Sequence, residues 1–371
     1  MRSKIKYLLI FLSILLLTIS GMASALDIGG EMKTTFQGIF QEDKKMKSNL
    51  QETLNLELFL PSSASTEARF ELDMIFKSHD LATGEKSVLD TAIKKMYLRS
   101  SFENFDLTAG RQPVSWSYGA MLNPVDYNLG AVVMDEAGSS KFINAIEAYV
   151  PFNWNSGLAI LASFPENSDD IKWGLRGRTG YKGYDLTLNY VQEVQRDIMG
   201  LTVPAFKRIG ASAKGDLGVF GVYGALAYVY ENELEDGSFL YQIGADYSYS
   251  FLSGSKFLCQ LEYLNLEGDK VINGIFGLPA GILPVGDKLE LLAANINYTI
   301  DDFSSIGLLL ATAPEDGSLM ILPRYSNMFG DELSFNLDFG INQGEADSLF
   351  GFLADQSQAE LVMNSSISYP F

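Results

Sequence analysis

The stretch Phe239–Phe251, "FLYQIGADYSYSF", keeps Phe239, Tyr241, Ile243, Ala245, Tyr247, Tyr249 and Phe251 on one parity. Gln242, Gly244, Asp246, Ser248 and Ser250 hold the other. A period of two sends successive side chains to opposite faces of an extended chain, so this segment is a strand with one apolar, aromatic face and one polar face. It is long for a soluble strand, whose mean is ~5–6 residues. A tilted strand crosses a bilayer in ~9–11 residues. The alternation therefore points to a wall with lipid on one side.

The pattern recurs along the chain. Ala68, Phe70, Leu72, Met74 and Phe76 alternate with Arg69, Glu71, Asp73, Ile75 and Lys77. Leu333, Phe335, Leu337, Phe339 and Ile341 alternate with Ser334, Asn336, Asp338 and Gly340. Short turns fall near "PSSAST", "SFENF", "FNWNS", "GYKGYD", "GDLG", "LSGS", "DDFS" and "NMFGDE". Between them lie longer connections at 41–49, 79–91, 113–141, 165–170, 193–205, 230–238, 266–287, 313–318 and 342–358. Eight short turns and nine longer connections predict about 18 strands, with 16 or 20 as alternatives. An even number of strands joined alternately by short turns and long loops is the plan of an all-β, antiparallel, up-and-down transmembrane β-barrel. Both termini then share the short-turn side, which in that plan is periplasmic.

The last strand agrees. Leu361, Met363, Ile367, Tyr369 and Phe371 share one parity, against Glu360, Asn364, Ser366 and Ser368. Left open, such a strand would be an adhesive edge; closure into a barrel removes the edge and pairs every backbone group. An amphipathic final strand ending in Phe resembles the C-terminal signal of bacterial outer-membrane proteins. That resemblance implies that Tyr369 and Phe371 are read by the barrel insertion machinery.

Arg2, Lys4 and Lys6 precede an apolar run from Tyr7 to about Ile19 and then "GMASA". This reads as a secretory signal peptide, residues 1–25, cleaved after Ala25; residues 26–371 are expected to form a single barrel domain. The whole chain holds 27 Lys+Arg and 46 Asp+Glu, so loss of the three leader cations leaves 24 against 46, a net charge near −22. Such a balance argues against nucleic acid as a partner. The single cysteine, Cys259, excludes an internal disulfide and a cysteine-rich metal site. No metal and no cofactor are expected.

With the apolar face given to lipid, the polar face lines the interior. Candidate pore-lining residues are Arg69, Glu71, Asp73 and Lys77 on one strand, then Lys95 and Arg99 beside Tyr97, then Lys172, Arg176 and Arg178. Two readings stand: a charged wall for a water-filled passage, or charges that pair across strands and brace the lumen. Acidic runs at 165–170, 231–236, 314–316 and 344–347 sit in the longer loops, as solvated surface or as sites for divalent cations. The one histidine, His79, lies beside Asp80 at a strand end. That pair is the sole histidine basis for a barrel enzyme, and no H-E-x-x-H, G-x-S-x-G or P-loop pattern occurs. The expectation is a chain that is not an enzyme.

"GRQPVSWSYGAMLNPVD", Gly110–Asp126, breaks the alternation. Strand parity places Arg111 on the lipid side, where a charge costs about 2–4 kcal/mol at the midplane and ~0–1 near an interface. Pro113 removes a ladder donor, so the strand is expected to end or bulge there. Gly110, Arg111, Gln112, Trp116, Gly119, Asn123, Pro124 and Asp126 resemble the G-R-Q-x-x-x-W-G-x-G-x-x-x-N-P-x-D pattern of alginate-export-type outer-membrane channels and related porin-like proteins. Ser117 departs from the expected Gly. The likeness covers about seventeen residues and implies a channel for small or polymeric solutes, without implying alginate. In general porins a loop after the fifth strand folds inward, so 113–141 is expected to be a constriction loop. Arg111, Trp116, Asn123, Asp126, Asp135 and Glu136 are its candidate residues, with the acids set against Lys95, Arg99 and Arg176. The overall expectation is passive diffusion of small polar or charged solutes through a bacterial outer membrane, with lipid as surroundings and a homo-oligomer compatible. A plugged structural or adhesive barrel is the alternative.

Overall fold

A computed structural model describes residues 27–371 apart from 41–45, 61–64, 80–85, 117, 120–122, 130–140, 166–167, 169, 199–200, 204, 231–236, 276–282, 331 and 358–360. The expected leader and Asp135 and Glu136 lie outside the described residues. The first nine strands are β1 (Asp27–Phe40), β2 (Met46–Phe59), β3 (Thr66–His79), β4 (Lys86–Ser101), β5 (Asp106–Pro113), β6 (Phe142–Asn153), β7 (Ser156–Ser163), β8 (Lys172–Tyr181) and β9 (Tyr184–Gln192). A small hairpin, β10 (Arg196–Ile198) and β11 (Leu201–Val203), follows within a loop. The wall resumes with β12 (Lys207–Leu217), β13 (Phe220–Tyr230), β14 (Ser238–Ser250), β15 (Lys256–Glu267), β16 (Lys288–Thr299), β17 (Ser304–Ala313), β18 (Ser318–Phe329), β19 (Leu333–Gln343) and β20 (Leu361–Pro370).

Eighteen strands form one antiparallel sheet in which each pairs with its chain neighbours, β9 pairing directly with β12. The sheet closes where β20 pairs with β1, from Phe40↔Leu361 to Glu31↔Pro370. At the seam Gly30 N–H donates to the Phe371 carbonyl at 3.1 Å, and Phe371 N–H to the Gly30 carbonyl at 3.0 Å. Closure leaves no strand edge, which satisfies the backbone where water cannot. Asp27, the first described residue, and Phe371 lie on the rim of the short turns. No helix among the described residues is long and apolar enough to cross a membrane.

The outer face is as the alternation predicts: Ile243, Leu188, Leu226, Leu261 and Ile160 are exposed on it. The inner face corrects the expectation of a polar lumen. Towards the long loops, Ala225, Ala227 and Val229 of β13, Leu240 of β14, Leu264 and Leu266 of β15 and Leu289 and Leu291 of β16 face inward and are buried. They pack against Val125, Leu129, Phe206, the short helix Asp269–Ile275 through Val271 and Ile272, and the helix Leu349–Ser357 through Leu349 and Phe350. Inward-folded loops thus fill part of the barrel with a hydrophobic core. Burying such side chains stabilises each by about 1.5–3 kcal/mol relative to exposure.

Candidate functional site

The inner wall divides into an open side and a covered side. The open side is a cavity of about 1260 Å³ against β1–β4 and β16–β20, lined by Glu31, Lys33, Gln51, Asn55, Asp73, Lys94, Asn297, Arg324, Asp338 and Asn364 among others. Several charged side chains on and beside this wall are paired, most of them across strands. Lys95 Nζ lies 2.5 Å from Glu71, Lys94 Nζ 2.8 Å from Asp73, and Lys77 Nζ 3.3 Å from Asp90. Arg69 meets Glu67 at 2.5 Å and Glu57 at 3.6 Å. Asn55 Nδ2 donates to both Glu71 and Asp73, at 2.9 and 2.7 Å. Pairing of this kind lets charges line a passage without a costly desolvated orphan.

Lys94 had no place in the sequence reading, because strict alternation with Lys95 sends it to lipid. The register of β3 and β4 slips between Glu71 and Leu72: Lys95 faces Glu71, Ile93 faces Leu72, and Lys94 is the extra residue. A bulge puts two adjacent residues opposite one partner, so both lysines reach acids of β3. The adjacent pair Lys94–Lys95 within an otherwise alternating strand was the available signal.

The covered side carries the motif. Gly110 holds φ +125°, and a Cβ there would collide with the Met96 carbonyl, which is a physical reason for glycine. Arg111 stays on the outer face, level with Met96 of β4 and Asn144 of β6. Its Nε donates to the Ile93 carbonyl at 2.5 Å. That carbonyl lies past the end of the β4–β5 ladder, where Pro113 has no N–H to offer. Arg111 therefore braces the outer wall and does not enter the passage.

Beyond Val114 the chain turns into the barrel. Trp116 is buried, its ring edge-on to Tyr127 at 5.1 Å and beneath the Arg176 guanidinium at 5.4 Å. Asn123 Oδ1 accepts from Val125 N–H at 3.0 Å and its Nδ2 donates to the Tyr118 carbonyl at 2.8 Å. Asp126, 1% exposed, accepts from Trp116 N–H and Ser115 Oγ at 3.2 Å and from Asn128 N–H at 3.3 Å. Asp126 is thus occupied in holding the turn of its own segment; it does not present its carboxylate to the passage.

Four successive carbonyls of this turn are received by the wall. Arg208 donates to Pro124 at 2.7 Å and also to Asp126; Asn189 donates to Val125 at 3.0 Å; Lys172 donates to Tyr127 at 2.6 Å. Lys172 also sits 2.9 Å from Glu193 and 4.3 Å above the Tyr127 ring. Glu193 lies 3.9 Å from Arg208, with the two side chains 3% and 1% exposed. Lys172, read as pore-lining, faces inward but is sealed beneath the segment. Arg208, Asn189 and Glu193 were missed. Arg208 shares a parity with Gly210 and Ser212 that would have turned it inward, whereas Glu193 lies past the end of β9, where periodicity says nothing.

Gly174 of β8 lets the segment approach: a Cβ there would lie 3.0 Å from both Trp116 and Tyr127 and 3.0 Å from the Tyr190 carbonyl. Gly174→Leu is expected to displace both rings and destabilise the fold by about 1–3 kcal/mol, as overpacking does. Trp116 fluorescence, read in the variant against Trp173→Phe and Trp154→Phe backgrounds, should move to longer wavelength.

Below the segment, towards the short turns, a niche of about 170 Å³ is lined by Arg99, Asp106, Thr108, Glu147, Tyr149, Arg176 and Arg178. Arg178 pairs with Asp185 at 3.5 Å. Of the three arginines, Arg176 links niche and segment, through its stacking on Trp116. Glu147, from β6, is the acid that meets them, in the place expected of Asp126. His79 ends β3, and Asp80 lies outside the described residues. Among the described residues there is no group of three or more His, Cys, Asp or Glu side chains that could hold a metal ion.

Among solved structures the fold is similar to OccAB2 of Acinetobacter baumannii, at 12% identity over 93% of this chain and 98% of that one, with a TM-score of 0.57. OccAB3 of the same organism gives 9% identity over 93% and 99%, with a TM-score of 0.55. An anion-selective porin from Comamonas acidovorans gives 12% identity over 94% and 99%, with a TM-score of 0.49. The likeness is one of fold, a porin-like outer-membrane barrel. No protein-family model matches the sequence, and no curated protein matches it.

Proposed function

We propose that this porin-like barrel is a channel of a bacterial outer membrane through which small polar or charged solutes diffuse passively, filtered by wall charge and by the segment 113–141, whose described residues fold inward. The observation that carries the reading is the asymmetry of the interior. A polar cavity of about 1260 Å³ runs beside a segment pinned by four carbonyl contacts, above three arginines. Diffusion down a gradient needs no chemical step, and rings of fixed charge select among ions and solutes. In this reading the short-turn rim and both termini are periplasmic, Tyr369 and Phe371 are recognised during insertion, and lipid surrounds the wall.

The apolar core of inward loops gives the plugged-barrel reading its one supporting observation. Planar-bilayer recording separates the two. Purified protein is expected to give discrete conductance steps, and deletion of 118–138 is expected to enlarge them and alter ion selectivity. Silence would favour a plug; unchanged conductance and selectivity after the deletion would remove the segment from the filter.

A further inference from the structure

One proline stands in the middle of the barrel wall. Pro323 is the sixth residue of β18, whereas Pro113, Pro151 and Pro370 lie within two residues of a strand end. β18 and β19 pair at Ile321↔Ile341 and again at Arg324↔Asp338 in one unbroken register, with no pairing at the two positions between. Proline has no N–H to give the strand across, which is why prolines in sheets are confined to edges and bulges. A closed wall has no edge, and the unbroken register leaves no bulge. Where no water can stand in for it, a missing ladder bond weakens the wall at that level.

The seam is thin on the inside as well. Leu322 faces the cavity opposite Gly340, which brings no side chain. A Cβ at Gly340 would lie 3.3 Å from Leu322 Cδ2 and 3.7 Å from Val362 Cβ, so Leu322 leans across the seam. The cavity is lined mostly by amides, hydroxyls and charges, yet Met320, Leu322 and Val362 form an apolar patch at this place. The lining also reaches Tyr325 and Phe339, both of the outward, lipid-facing parity and both flanking the seam. Just beyond it Arg324 and Asp338 face one another in register, one charge of each sign, with Asn336, Asn364 and Ser326 as neighbours.

We infer that this seam is a side exit, through which an uncharged single-chain amphiphile with a hydroxyl head, of the alkanol class, passes between the cavity and the hydrocarbon of the bilayer. The chain lies on Met320, Leu322 and Val362 and slips between Leu322 and Gly340. The head keeps hydrogen bonds to Asn336, Asn364 and Ser326 until the chain is in lipid. Ions are excluded twice. Arg324 and Asp338 together offer no net charge to hold one, and a charge entering hydrocarbon at mid-wall loses its water without gaining a partner. The inference goes beyond diffusion of polar solutes along the barrel, and it rests on the reading that the outer wall lies in a bilayer.

The test places the full chain in liposomes preloaded with a decanol analogue that carries a diazirine in its chain, and reads the labelled residues by mass spectrometry. Labelling is expected on the inward Leu322 and Val362 as well as on the outward Ile321 and Ile341. Pro323→Val restores the N–H, so inward labelling should fall about fivefold, the effect of one hydrogen bond added to the closed wall, while outward labelling stays. Leu322→Trp, which thickens the inner cover and leaves Pro323 in place, should give a fall of the same kind. A decyltrimethylammonium probe with the same diazirine should leave the inward residues unlabelled. Inward labelling that is unchanged in both variants, or as strong with the cationic probe, overturns the side exit. Conductance steps are expected to be the same in Pro323→Val as in the parent; their absence from the parent would overturn the channel reading and leave the labelling result standing.

Discussion

Replacing Arg208 with methionine is expected to cost the folded barrel about 3–5 kcal/mol, the range for removing one partner of a buried charge pair. Arg208 is almost wholly buried and serves three groups at once: the Pro124 and Asp126 carbonyls and the Glu193 carboxylate. Methionine fills much of the same volume and supplies no donor. Two carbonyls of the inward turn would then face a desolvated wall, and Glu193 would keep only Lys172. Each orphaned buried acceptor costs about 1–3 kcal/mol, so the turn gains a reason to leave the wall. The temperature at which the folded band is lost on heating should fall, and open-channel current should become noisy. Lys214→Met on the same strand and face is the comparison: its side chain is exposed and meets the segment only over the Tyr118 ring, at 5.7 Å, so a much smaller loss is expected. An Arg208→Met channel as stable and as quiet as the parent would mean that apolar contacts at Val125 and Leu129 hold the segment unaided.

The fold was legible because lipid imposes a strict rule on one face of every strand. Ile243, Leu188 and Leu261 must be apolar whatever the interior does, so the alternation survived and placed all eighteen strands. The interior follows no such rule. Where loops fold inward, β13–β16 carry Ala227, Leu240, Leu264 and Leu291 inside as well as apolar residues outside, and period two loses its contrast. The bulge at Lys94 breaks the parity outright. The motif was visible as an interruption, but the duties of its residues were not. Asp126 reads as an acid for the passage until its hydrogen bonds to Trp116, Ser115 and Asn128 are known. Arg111 is anomalous in the sequence and stays outward, where its Nε donates to the Ile93 carbonyl beyond the end of the β4–β5 ladder.

Neutralising Arg99 and Arg178 together is expected to turn ion preference towards cations by roughly an order of magnitude at low salt. Both line the niche beneath the segment with Arg176, against the acids Glu147 and Asp106. The three cations outnumber the two acids, so the niche has a net positive charge. At about 5 Å in a water-filled passage, one unit charge acts with about 0.8 kcal/mol, about fourfold in local ion concentration. Two such changes multiply to roughly sixteenfold before screening, and the Debye length of about 30 Å at 0.01 M reduces that to roughly tenfold. Gln at 99 and 178 keeps hydrogen-bonding capacity, and neither position touches Trp116, so the segment keeps its stacking on Arg176. Loss of Arg178 also releases Asp185 from its 3.5 Å pairing, which adds to the cation preference. The check is the reversal potential across a salt gradient, measured at low salt and again near 1 M, where a Debye length of about 3 Å should erase most of the difference. A reversal potential that does not move at low salt would place the ion path on the open side alone, past Lys94, Asp73, Arg324 and Asp338.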